Sequence, residues 1–280
     1  MQVRRYEDPD VFYARVEAFL MRREADHNLL LGILSEIRQN PQIYPGLHYF
    51  AAVERGDEVL LAALRTPPHP LALSHALEPG AAALLAEDLE GSPFAPDRAS
   101  GPAATSLAFA EAWSERTGRP FRRSLALRIY KLTRVRAPAG VPGRLRPAGA
   151  GDRDLLARWF YGFQTDALGE SDTQAAQHAT DRWLGTPTRG LYLWEDGEPV
   201  SMAGYSGPTP NGMRIAAVYT PPERRRRGYA SACVAALCQL LLDSGRTFCF
   251  LFTDLANPTS NHIYQEIGFE PVCDVDEYTL

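Results

Sequence analysis

From residue 230 onward the apolar positions Ala230, Cys233, Val234, Leu237, Cys238 and Leu241 recur at the i, i+3, i+4 spacing that lines one face of an α-helix, and Gly245 follows as a stop. The pattern predicts a helix over 228–244 with one buried face. The next stretch, "RTFCFLFTDL", is almost continuously apolar and reads as a buried strand over 247–253. Asn257-Pro258 then supplies a capping residue and a first-turn proline, so a helix over 258–267 is expected, followed by a strand over 270–279. Upstream, strands are expected over 190–195, 199–206 and 212–220.

The same order of patterns occurs twice. "QVRRYEDPDVFYARVEAFL" and "GRLRPAGAGDRDLLARWFYGF" each read as a short strand, a turn and an amphipathic helix. Each is followed by a turn with paired strands, "ERGDEVLLAALRTPPHPLALS" at 54–74 and "EDGEPVSMAGYSGPTPNGMRIAAV" at 195–218. Between the halves, "TRVRAPAGVPGRLRPAG" is rich in Pro, Gly and Ala and has no period. The expected division is a first domain at 1–135, a linker at 136–144 and a second domain at 145–280, of mixed α+β class. Segment 160–190 is read mainly as loops.

Composition narrows the function classes. The chain has 280 residues, 45% of them apolar, and a net charge of -5, which argues against a general nucleic-acid binder. Charges at positions 4, 5, 7, 8 and 10 break any signal-peptide core, and no apolar run is long enough to span a bilayer. A cytoplasmic protein with no membrane partner is expected. Cys233, Cys238, Cys249 and Cys273 lack a CxxC spacing and are read as reduced core residues, with no metal.

One stretch needs a special explanation: "TPPERRRRGYA" crowds Arg224, Arg225, Arg226 and Arg227 against Gly228. Such a run can be a solvated face or a nucleic-acid patch. Its place between a strand end and a helix start favours an anion site, because a helix N-terminus presents unpaired N–H donors and arginines add charge-assisted bonds. Neither GxxxxGK[ST] nor GxGxxG is present, so P-loop and Rossmann readings fail.

What does fit is Arg225-x-x-Gly228-x-Ala230 after the strand ending "VYTPPE". This resembles the GCN5-related N-acetyltransferase (GNAT) family, whose corresponding loop grips the pyrophosphate of acetyl-CoA. The resemblance extends over about residues 143–280, and "NPTSNHIYQEIGF" at 257–269 is similar to the family's closing motif. It implies the GNAT fold, a central mixed twisted sheet flanked by helices, in a tandem form, and a cofactor site made of Val218, Tyr219, Thr220, Arg225, Arg226, Arg227, Gly228, Tyr229, Ala230, Asn257, Ser260 and Asn261. Backbone groups of Val218, Tyr219 and Thr220 would be left free by a splayed strand, and Tyr264 would protonate the departing coenzyme A sulfur. The activity implied is acetyl transfer from acetyl-CoA to a primary amine, of a small molecule or peptide, by direct transfer.

Two departures stand out. The strand "RIAAV" at 214–218 has no glutamate where the family often places a general base, leaving Glu170, Asp172, Asp254, His178 and His262 as candidates, or a water relay. In the first half, "LEPGAAALLAEDL" at 77–89 holds a glutamate and no arginine at the corresponding loop, which implies a degenerate half that binds no coenzyme A and walls the acceptor site. A non-catalytic coenzyme A-binding regulatory module is the alternative. The acceptor and the oligomeric state are not written in the sequence.

Overall fold

Local chemistry sets the first elements. Asp8 accepts hydrogen bonds from the N–H groups of Asp10 (2.7 Å) and Val11 (3.2 Å), and Pro9 follows, so a helix begins there. The turn at Gly56-Asp57, with Gly56 at φ +55°, folds two apolar runs back on each other with Arg55 opposite Glu58. A computed structural model describes residues 1–169 and 172–280. Its elements run β1 (Gln2–Tyr6), α1 (Pro9–Met21), α2 (Asn28–Gln39), β2 (Tyr49–Arg55), β3 (Glu58–Arg65), β4 (Leu71–Leu73), α3 (Gly80–Leu89), β5 (Arg98–Pro102), α4 (Ala103–Thr117) and β6 (Arg122–Leu132). The second series is β7 (Arg144–Pro147), α5 (Arg153–Leu168), α6 (Thr173–Gly185), β8 (Gly190–Asp196), β9 (Glu198–Ser206), β10 (Gly212–Tyr219), α7 (Tyr229–Asp243), β11 (Phe248–Asp254), α8 (Pro258–Ile267) and β12 (Glu270–Thr279).

The two series have the same order of strands and helices, β-α-α-β-β-β-α-β-α-β, so the halves repeat one mixed α/β fold. In each, the fourth and fifth strands pair in parallel, β4 with β5 and β10 with β11, while the hairpins are antiparallel. Segment 160–190 is largely helical: α5 and α6 fill most of what the sequence reading left as loops, with Gly169 in the left-handed conformation ending α5.

Two compact units form, and each draws on both series. Unit 1 comprises residues 1–129, 252–258 and 271–280; unit 2 comprises 130–251 and 259–270. In unit 1 the closing strand β12 lies antiparallel against β5, with Val275 opposite Pro102 and Thr279 opposite Arg98. Its core has two layers, one around Phe12, Leu34 and Phe50 on one face of the sheet and one around Leu85, Phe109 and Trp113 on the other.

In unit 2, α7 buries Cys233, Val234, Leu237, Cys238 and Leu241 against Met213, Ile215 and Leu251 of the sheet. α5 and α6 cover the other face through Leu156, Phe160 and Trp183. The 136–144 segment lies along this unit: Trp194 Nε1 donates to Pro142 O (2.8 Å) and Arg136 N to Ile267 O (2.7 Å). Cys233, Cys238 and Cys249 are buried core residues, as expected, whereas Cys273 is only half-buried. Among the described residues no helix is long and apolar enough to cross a membrane.

Candidate functional site

The site begins where β10 loses its partners. Parallel pairing with β11 covers only Gly212–Arg214. On the other edge the ladder to β9 shifts after Ala216, which faces Gly204, and resumes at Tyr219 opposite Met202, so Ala217 and Val218 together face one residue. Ala217 takes a positive φ of 52°, as a bulge requires. A bulge that redirects a strand end is a common way to expose backbone groups beside a ligand site.

Past the bulge, alternate side chains go to opposite faces. Val218 packs on the cluster under α7. Tyr219 turns to the other face, its ring 6.3 Å from that of Trp159 and so close to α5 that a Cβ at Gly162 would stand 2.7 Å from Tyr219 Cζ. Thr220 Oγ1 lies 2.8 Å from Ser201 Oγ, which donates to Tyr219 O (3.1 Å), and Arg225 Nε donates to Thr220 O (2.9 Å). Two of the carbonyls expected to be free thus already accept bonds within the protein.

The arginine loop divides its charges. Arg224 pairs with Glu198 and Arg225 with Asp166, so both are drawn onto unit 2. Arg226 and Arg227 are exposed, and neither forms a salt bridge among the described residues. Arg227 instead meets the hydroxyl of Tyr229, which donates to Asp196 (2.7 Å). Arg226 has φ +63° and Gly228 φ +79°, two left-handed turns that swing the chain into α7. Gly228 is held to glycine twice over: by its φ, and because a Cβ there would stand 2.8 Å from Val141 Cγ2.

Gly228 caps α7 without a side chain, and the first bond of the helix is Ala232 N to Gly228 O (2.9 Å). The N–H groups of Tyr229, Ala230 and Ser231 therefore stand at a helix end where intrahelical acceptors do not exist. These donors and the dipole of a 15-residue helix lie next in sequence to two exposed arginines that have no acidic partner among the described residues. That combination fits a polyphosphate.

On α8, Tyr264 packs onto the α7 cluster and meets Phe269 edge to face at 5.8 Å. Burial, with the Cys238 thiol adding to it, pushes its hydroxyl up to about 12, so the proton stays on the oxygen at neutral pH. Val218, Tyr229 and Tyr264 thus all contact one core cluster, while the Tyr219 side chain leaves it. Ser260 and Asn261 are half-buried on α8. Asn257 is exposed just before the helix, its N–H bonded to Asp254 O (3.0 Å).

The candidate bases are engaged elsewhere. Asp172 caps α6 by accepting from Gln174 and Ala175, Asp254 accepts from Ala256 N (2.8 Å), and His262 lies 3.3 Å from Glu266 on the exposed face of α8. His178 is exposed on α6. Glu170 lies outside the described residues. Arg214, the charged residue of the β10 segment that lacks a carboxylate, donates to Ser206 Oγ (3.0 Å). Sequence reading missed Glu198 and Asp166, the acids that hold half of the arginine run, because they stand 26 and 59 positions away.

Comparison with known proteins agrees with this geometry. The acetyltransferase (GNAT) family model matches residues 154–269. A tandem GNAT protein from the clavulanic acid biosynthesis pathway is 13% identical with a TM-score of 0.60, covering 100% of this chain and 98% of that one. A Drosophila protein gives 14% identity and a TM-score of 0.70 over 99% of this chain and 98% of its own. A GCN5-related N-acetyltransferase from Kribbella flavida gives 18% and 0.56 over 78% and 86%. No curated protein sequence matches the chain. Residues 154–269 thus match the acetyltransferase (GNAT) family, and the full length has the fold of a tandem GNAT protein.

Proposed function

We propose that the chain is a cytoplasmic acetyl-CoA-dependent N-acetyltransferase that moves an acetyl group directly to a primary amine of a small molecule or peptide. The observation that supports this most is the join between a strand released from its neighbour at Arg214 and an uncapped helix N-terminus flanked by exposed Arg226 and Arg227. A polyphosphate at the helix end and an extended arm along the released strand suit one elongated ligand.

Acetyl-CoA would supply the activated acyl group as a thioester. Arg226, Arg227 and the N–H groups of Gly228, Tyr229 and Ala230 hold the phosphates, while Arg225 fixes the loop by bonding Thr220 O and Asp166. Val218 offers backbone bonds at the bulge, beside Tyr219 and Thr220. Asn257, Ser260 and Asn261 flank the ligand from the start of α8. Tyr264 Oη keeps its proton at neutral pH and donates it where the thiolate departs. The deeply buried Cys233 thiol is pushed above its ordinary range, which does not suit a covalent acyl carrier. No side chain is assigned as base, and the amine proton leaves through water.

The halves 1–135 and 145–280, joined at 136–144, are repeats of one fold, and only the second binds coenzyme A. The loop before α3 carries Glu78, ion-paired to Arg55, in place of exposed arginines. Titration calorimetry with acetyl-CoA, with coenzyme A and ATP as comparisons, tests the proposal: one site per chain is expected, and two sites or none overturns it. Tight binding with no turnover over a broad panel of amines turns the reading into that of a regulatory coenzyme A-binding module.

A further inference from the structure

A second constellation lies in unit 1, away from the arginine loop in chemistry and in composition. Asp26 sits between α1 and α2, His75 follows β4, and Cys273 lies on β12. Asp26 Oδ2 is 2.9 Å from His75 Nε2, Cys273 Sγ is 3.8 Å from the same nitrogen, and all three ligand atoms lie within 4.8 Å of one another. We propose that Asp26, His75 and Cys273 form a binding site for a divalent cation of the zinc type.

The alternative chemistry for these residue types is a nucleophilic relay, and the geometry excludes it. A relay needs the carboxylate on one ring nitrogen and the nucleophile on the other. Here both approach Nε2, so the three groups converge on a point instead of forming a chain. Tetrahedral zinc with Zn–N and Zn–O of about 2.0 Å and Zn–S of about 2.3 Å sets its ligands about 3.3 Å (O to N) and about 3.5 Å (S to N) apart. The observed separations differ from these by a few tenths of an ångström, which side-chain rotation covers.

The surroundings fix the backbone that carries the imidazole. His27 Nε2 accepts from the backbone N–H of His75 (3.1 Å), and its Nδ1 donates to Leu20 O (2.9 Å), so the buried His27 ring is neutral with one defined tautomer. Its ring also lies 5.4 Å from that of His75. On binding, the Cys273 thiol releases its proton to solvent and the His75 proton moves to Nδ1, leaving thiolate, carboxylate and neutral imidazole around a dication with no net charge. Thiolate and imidazole select zinc over calcium or magnesium, which take oxygen. The half-buried setting leaves a fourth position for water, and Arg23, 3.6 Å from Asp26 and largely exposed, swings out to solvent.

The test uses the full chain, reduced and stripped of metal by a chelator. Titration with Co²⁺ is expected to produce a thiolate-to-cobalt charge-transfer band saturating at one ion per chain, and Zn²⁺ is expected to abolish it by displacement. Cys273→Ser should lose the band while keeping the far-ultraviolet circular dichroism of the parent. No band in the intact chain, or a band that survives in Cys273→Ser, overturns the proposal. A second measurement needs no variant: Zn²⁺ should slow alkylation of Cys273 by iodoacetamide, followed by peptide mass spectrometry, and an unchanged rate overturns it equally.

Discussion

Arg225 is salt-bridged to Asp166, whereas its neighbour Arg226, at φ +63°, extends to solvent with no ion pair among the described residues. The run of four arginines is therefore two kinds of residue. Arg224 and Arg225 fasten the loop; Arg226 and Arg227 are exposed and have no acidic partner among the described residues. Replacing Arg226 and Arg227 by alanine should weaken coenzyme A binding by about tenfold or more for each lost charge-assisted bond. The loss should shrink as salt is raised, read by calorimetry at two ionic strengths. Equal affinity in the double variant returns the pair to an ordinary solvated surface.

Tyr264→Phe removes one hydroxyl and leaves the packing against Phe269 in place. It should lower kcat by about a hundredfold while KM for acetyl-CoA changes little, in line with the usual contribution of a positioned acid. Because the hydroxyl is held up to about 12, it contributes no titration near neutrality. The pH–rate profile of the parent should accordingly have no alkaline limb from this group below about pH 10, where an ordinary tyrosine ionises. A limb there that vanishes in Tyr264→Phe contradicts the burial argument.

Gly162→Ala places a methyl group against the Tyr219 ring. Overpacking of this sort costs about 1–3 kcal/mol. Chemical denaturation should read the loss directly, and in a Tyr219→Ala background the same Gly162→Ala change should cost little. An equal cost in both backgrounds would mean that α5 and β10 do not meet at this pair.

Gly228→Ala asks one residue to accept both φ +79° and the approach of Val141. Left-handed strain at a non-glycine residue costs about 1–3 kcal/mol, and here it falls on the loop that leads into α7. Coenzyme A affinity should drop more than global stability does. A variant that melts earlier but binds normally would separate the loop from ligand binding.

Deleting residues 271–280 should open unit 1, because β12 is the antiparallel partner of β5. Hydrogen exchange of Arg98, Ala99 and Ser100 amides is the measurement, with faster exchange expected there than in β8 or β9. Unchanged protection at β5 would mean that the closing strand is dispensable to it.

Much of the second half could be read from the chain directly, and the reason is periodicity. The Ala230 to Leu241 stripe and the apolar run at Phe248 each have a single period, and all five expected strands fall within a residue or two of those observed. α6 and the end of α5 were harder to read, since Gly162 interrupts α5 and the buried Trp183 of α6 stands among polar residues. Pairing partners were not legible at all. A strand's pattern states which face is buried but not which strand lies beside it, so the placing of β12 against β5 had no local signal. The same holds for groups that meet only through folding: Asp26, His75 and Cys273, or Arg225 and Asp166, carry no motif because their spacing is set by topology.

The position of β12 also orders events during synthesis. Translation proceeds from the N-terminus, so the segments of residues 1–129 are made long before the strand that completes their sheet. At about 5–20 residues per second, β5 waits on the order of ten seconds with one edge unsatisfied. An open edge of this kind recruits foreign strands. At five residues, ending in Gly101-Pro102, it is a short and poor template. That brevity protects the nascent chain until its own last strand arrives to take the place.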